Sequence, residues 1–92
     1  MTNNFIIKPS FAGTYDIKLK DGHCIVNAGI GENWLTIYLI ETEAGYRGHG
    51  EATRLLTEIR DTCAKFNRDF KVWCPLTDTM VRLCKKLSIE TV

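Results

Sequence analysis

The segment Tyr46-Arg47-Gly48-His49-Gly50-Glu51-Ala52 constrains this chain most, because the spacing of apolar residues changes across it. Before it, Trp34 to Ile40 is a β-branched and aromatic-rich run. After it, Ala52, Leu55, Leu56, Ile59, Cys63 and Phe66 recur at helical intervals, which predicts a helix with one face apolar along its whole length. A strand, a glycine turn and a helix start thus follow one another. Glycine lets a backbone approach a ligand with no Cβ in the way. Successive N–H groups in such a turn, with the unpaired donors and positive dipole end of the following helix, form a cradle for an oxyanion. The segment therefore predicts binding of a phosphorylated ligand.

The remaining pattern predicts an α+β domain. Tyr15 to Lys20 alternates apolar and polar residues, Asp21-Gly22 follows, and His23-Cys24-Ile25-Val26 begins a second strand, which is a hairpin signal. That strand runs toward Ala28, Gly29 to Asn33 forms a loop, and Trp34 to Ile40 makes a third strand. Phe5 to Lys8 adds an edge strand stopped by Pro9. Beyond the first helix, Asn67 suits a left-handed residue, and Phe70 to Cys74 reads as a buried strand ended by Pro75. Thr77 or Asp78 caps a second helix carrying Met80, Val81, Leu83, Cys84 and Leu87. Ser88 to Val92 supplies a last short strand. Arg54 and Glu58 are spaced to pair across one helical turn.

Residues 1–92 form one domain, since a chain of 92 residues that is 45% hydrophobic and 25% charged has neither the length for two domains nor the composition of a disordered one. A domain this small buries only somewhat more than roughly 60% of its unfolded surface, so a homodimer would add stability. A net charge of +1 supplies no general field for nucleic acid or a membrane surface. No basic start precedes a long apolar stretch, which predicts neither a signal peptide nor a membrane span. Cys24, Cys63, Cys74 and Cys84 make no metal-ligand spacing with His23 or His49. They read as reduced thiols of a cytoplasmic protein.

Spacing separates the phosphate-binding motifs. A Walker A loop needs Lys and Ser or Thr after the glycine, whereas Gly50 is followed by Glu51-Ala52. A dinucleotide fingerprint would place its third glycine at Thr53, and the strands before the turn read as hairpin-connected rather than part of a β-α-β unit. The pattern [Gln/Arg]-x-x-Gly-x-[Gly/Ala] is met by Arg47-Gly48-His49-Gly50-Glu51-Ala52. This resembles motif A of the GNAT N-acetyltransferase superfamily. Thr77 through Ile89 is similar to that family's second helix, with Val81, Leu83, Lys86 and Leu87 at matching positions, Thr77 in place of the usual Asn and Ser88 in place of Gly. Cys74-Pro75 looks like the cysteine-proline pair of a subgroup of very short members.

The resemblance implies a minimal GNAT fold, mostly antiparallel, with two helices after the motif A loop and the family's first helical layer missing or vestigial. It implies acetyl-coenzyme A as cosubstrate, held by Tyr46 to Ala52 (Tyr46, Arg47, Gly48, His49, Gly50, Glu51 and Ala52), with backbone groups of Ile40, Glu41 and Thr42 pairing with pantetheine. The acceptor would be an amine, on a protein lysine or N-terminus. Such transfer needs a base to take the ammonium proton, and Glu41 is placed for it by the end of the third strand. Glu43, Tyr38 and Glu32 are alternatives, as is a role for Glu41 as a mere solvated strand-end residue. The family's tyrosine, which can protonate the departing thiolate, falls on Cys84, whose thiol could donate a proton or simply fill the core. A non-catalytic acyl-coenzyme A binding module, or a strand-turn-helix that is only architecture in an interaction protein, stands beside the enzyme reading.

Overall fold

A computed structural model describes residues 4–73 and 77–91. Its strands are β1 (Phe5–Pro9), β2 (Tyr15–Leu19), β3 (Cys24–Ile30), β4 (Trp34–Thr42), β5 (Asp69–Val72) and β6 (Glu90–Thr91), and its helices are α1 (Glu51–Lys65) and α2 (Asp78–Lys86). The strands lie in chain order in one mixed sheet. The pairings β1–β2, β2–β3 and β3–β4 are antiparallel, and β4–β5 and β5–β6 are parallel. Parallel neighbours need a crossover, which α1 provides for β4–β5 and α2 for β5–β6. The strand entering the glycine turn is therefore hairpin-connected on one side and part of a β-α-β unit on the other. Hairpin spacing alone could not reveal this, because the parallel partner follows the turn in sequence.

Both helices contribute to one core on one face of the sheet, where Ile17, Leu19, Val26, Ala28, Leu35, Ile37 and Val72 meet Leu55, Leu56, Ile59, Cys63, Met80 and Cys84. Among the described residues no element covers the opposite face. That open side leaves Ile25, Trp34, Tyr38, Leu39 and Trp73 exposed. It also corrects the reading of Phe70 to Cys74 as a buried strand: of the described residues there, only Val72 is buried, and Trp73 is exposed. Cys74 and Pro75 themselves lie outside the described residues, and Val92 does too. Similarly, α1 ends at Lys65, so Phe66 lies past its apolar face and is exposed.

Local signals account for the ends. Asn67 takes a left-handed φ of 54° beyond α1, and Thr77 caps α2 by accepting a hydrogen bond from the Met80 N–H at 3.1 Å. Arg54 turns away from Glu58 to pair with Asp21 in the β2–β3 connection. Gly29 and Ile30 lie within β3, and Pro9 is the last residue of β1.

One irregularity shapes the molecule's working edge. Across β3–β4, Asn27 faces Leu39 and Ala28 faces Ile37, leaving Tyr38 as an extra residue. A bulge of this kind switches the alternation of a strand and bends it. Leu35 and Ile37 accordingly face the core before it, and Ile40 packs against the core after it. On its other edge β4 pairs with β5 only from Trp34 to Ile37, with a last bond of 2.8 Å from the Trp73 N–H to the Ile37 carbonyl. From Tyr38 to Thr42 that edge pairs with no strand among the described residues.

Candidate functional site

The glycine turn and α1 come together as an anion cradle. Gly48 and Gly50 have φ of 79° and 77°, a left-handed conformation that side chains with a Cβ adopt only at a cost. A Cβ built on either would meet no atom within 4 Å, so both positions face open space. Gly50 is the N-cap of α1 and offers no side-chain cap. Its carbonyl accepts from the Arg54 N–H at 2.9 Å, whereas the N–H groups from Gly48 to Thr53 make no well-aligned hydrogen bond among the described residues. Unpaired donors at a helix N-terminus favour an anion there.

These donors open into a cleft of about 430 Å³. One wall is Tyr46, Arg47, Gly48 and Gly50 with Glu51, Ala52 and Thr53; the other is Thr79, Arg82, Leu83 and Lys86 of α2, and Thr42 ends the β4 edge. Three cations thus face one carboxylate, and that carboxylate is engaged: Glu51 Oε1 accepts from the His23 N–H at 2.7 Å. The Arg47 Nε donates to the Thr42 carbonyl at 3.2 Å, which sets its guanidinium over the end of β4. A second cavity of about 240 Å³ fills the fork between β4 and β5, lined by Ile37, Tyr38, Leu39, Ile40, Val72 and Trp73. Ala52, Thr79 and Leu83 border both spaces, so an anion cradle and an apolar slot along a free strand edge make one continuous groove.

The candidate residues are placed as follows. Tyr46, Arg47, Gly48, Gly50, Glu51 and Ala52 line the cleft, with Ile40 along the slot. His49 is exposed in the turn. Glu41 is exposed on the open face, in lateral register with Ile25 and Lys18. It lines a separate pocket of about 200 Å³ with Lys18, His23, Glu43 and Arg47. Cys84 is 1% exposed, packs in the core and lies outside the cleft lining. Burial pushes its thiol up from the ordinary range, and the side chain packs as a core residue. Burial likewise raises Cys24 and Cys63, more than the Thr42 hydroxyl lowers the first and Arg68 the second.

The chain matches no family model, no curated protein and no solved structure. The site's reading therefore rests on its own geometry.

That geometry includes Thr79 and Arg82, which the sequence did not single out, beside Leu83 and Lys86, which it noted only as family-like helix positions. The four stand at i, i+3, i+4 and i+7, a stripe of α2 next to the buried Met80 and Cys84. The stripe was readable as a second helical face. His23 stacks on Tyr46 with ring centroids 3.5 Å apart, and its Nδ1 lies 2.8 Å from Glu43 Oε2. No local pattern links these three, because His23 belongs to the β2–β3 connection. Among the described residues no cluster of His, Cys, Asp or Glu could hold a metal ion, and no helix is long and apolar enough to cross a membrane.

Proposed function

We propose that this chain has a minimal GNAT fold, binds acetyl-coenzyme A and transfers the acetyl group directly to an amine, on a protein lysine or N-terminus. The observation that carries this reading is the continuity of the groove. N–H groups left open at the Gly48–Thr53 turn suit a pyrophosphate, and the Tyr38–Thr42 edge of β4, unpaired among the described residues, suits the amides of an extended pantetheine arm. Arg47, Arg82 and Lys86 supply countercharge. A nucleotide without such an arm would leave the slot between β4 and β5 unfilled.

In the transfer, the amine nitrogen bonds to the thioester carbonyl carbon, the C–S bond breaks, and the amine loses one proton while the thiolate gains one. The Glu41 carboxylate, exposed on the open face of β4 three residues beyond Tyr38, is the proton acceptor in this reading. With the Cys84 thiol inside the core, the thiolate takes its proton from water.

The test mixes purified protein with acetyl-coenzyme A and a panel of amines, peptides and proteins, with products weighed by mass spectrometry. Acetylated amine supports the proposal. Tight cofactor binding with no transfer to any acceptor selects instead a non-catalytic acyl-coenzyme A module, a reading that the burial of Cys84 favours. No binding of coenzyme A overturns both.

A further inference from the structure

We propose that Trp34, Tyr38 and Trp73 form a receptor for an alkylammonium group on the open face of the sheet, where β4 and β5 part. As the acceptor subsite it rests on the transferase reading; as a binding site it stands on its own observations.

The rings form one platform. Tyr38 is the bulged residue of β4 and leans over β3, where a Cβ on Gly29 would lie 2.9 Å from the Tyr38 hydroxyl and 3.1 Å from Trp34 Cζ3. A side chain on Gly31 would collide with the Trp34 indole. Two glycines in and after β3 are thus the floor on which both rings lie. Trp73 completes the platform edge-on to Tyr38, with centroids 6.1 Å apart and planes at 72°. Trp34, Tyr38 and Trp73 nonetheless remain 44%, 37% and 50% exposed. Glycine within a strand weakens it, so this floor costs stability while leaving aromatic surface in solvent.

Charge selects the occupant. Aromatic faces attract cations. Asp69 is in register with Trp34 and Glu32 lies in the turn before it, neither of them ion-paired among the described residues, whereas Lys71 on β5 is held by Glu90 at 3.3 Å. The Arg68 guanidinium donates to the Gly31 carbonyl beneath Trp34, so the charges left open to a cation beside the rings are the Asp69 and Glu32 carboxylates. Tyr38 and Trp73 also line the slot between β4 and β5, which joins the receptor to the end of the groove remote from the anion cradle. An amine held by the rings would meet an acyl group emerging there.

The test uses n-butylammonium chloride as probe, n-butanol as its neutral counterpart and sodium chloride as the salt control. The readout is the two tryptophan indole N–H signals in a nitrogen–proton NMR spectrum of the intact chain. Butylammonium should shift both signals saturably, with butanol at least about tenfold weaker, and Tyr38→Leu should weaken the cation by about tenfold. Trp73→Leu, with one indole left to observe, is the second variant should the first not fold. Equal response to butanol, or shifts unchanged in the folded variant, overturns the receptor. Where acetyl transfer is measurable, Trp34→Leu, which lies outside the linings of both the slot and the cleft, should raise the KM for the amine and leave coenzyme A affinity unchanged. An absence of transfer with intact butylammonium binding would count against the transferase reading alone.

Discussion

At the scale of single residues, Gly50 is the position where backbone and ligand requirements coincide. Its φ of 77° makes any β-branched replacement strained, and its missing Cβ faces open space beside the unpaired amides. Gly50→Val should cost about 1–2 kcal/mol of stability and abolish coenzyme A binding, read by calorimetric titration of the folded variant. The left-handed backbone of Gly50 before α1 was legible in the sequence because glycine before a helical period is a local signal. Cys84 was not, since only packing tells a core thiol from a working one. Its raised folded pKa has a definite consequence: the unfolded chain releases the thiol proton first, so stability is present below the unfolded value and falls as pH rises through it toward the folded one. Each such buried thiol contributes a slope of up to about 1.4 kcal/mol per pH unit above roughly pH 8.5. Cys84→Ala should lose about 1 kcal/mol at neutral pH yet show a shallower alkaline decline in chemical denaturation. An identical slope would mean that the thiol titrates as in the unfolded chain.

At the scale of elements, α1 and α2 play unequal parts. The period of α1 announced its buried face, and Leu55, Leu56, Ile59 and Cys63 are buried as that spacing requires. The β2–β3 connection that clamps its first turn could not be read the same way. There the Glu51 carboxylate takes the His23 N–H and Arg54 pairs with Asp21, contacts 28 and 33 residues apart in the chain. Removing the first by Glu51→Ala leaves a half-buried donor without its partner and should cost about 1–2 kcal/mol in denaturant unfolding. Glu51→Gln, which keeps an acceptor oxygen, should recover most of that. The stripe on α2 makes a different prediction. Arg82 and Lys86 lie on the cleft wall opposite the cradle, and their replacement by alanine together should weaken coenzyme A binding by about tenfold with little change in melting temperature. The remaining binding should depend less on salt, because two of the screened countercharges are gone. Unchanged affinity would assign the cleft's charge to Arg47 alone.

At the scale of the whole molecule, the groove is assembled from parts that meet only when the sheet is complete. The turn after β4, the free edge beyond the Tyr38 bulge and the outer stripe of α2 are brought together by two parallel crossovers on one face. Sequence spacing could supply the pieces of this arrangement. The fork depends instead on the register of β5 against β4, whose last bond among the described residues is from the Trp73 N–H, and no periodicity encodes that. A ligand spanning these parts binds the folded chain and not the unfolded one. Saturation at a hundred times the dissociation constant should add about 2.7 kcal/mol, and for a domain this small that raises the melting temperature on the order of 10–20 °C. Pantetheine, which on the proposed function would enter the slot between β4 and β5 but carries no pyrophosphate for the Gly48–Thr53 amides, should produce only a small part of that shift at equal concentration. An equal shift would make the strand edge the principal binding determinant and the cradle secondary. No shift with coenzyme A at saturating concentration would leave the turn as a corner of the fold and nothing more.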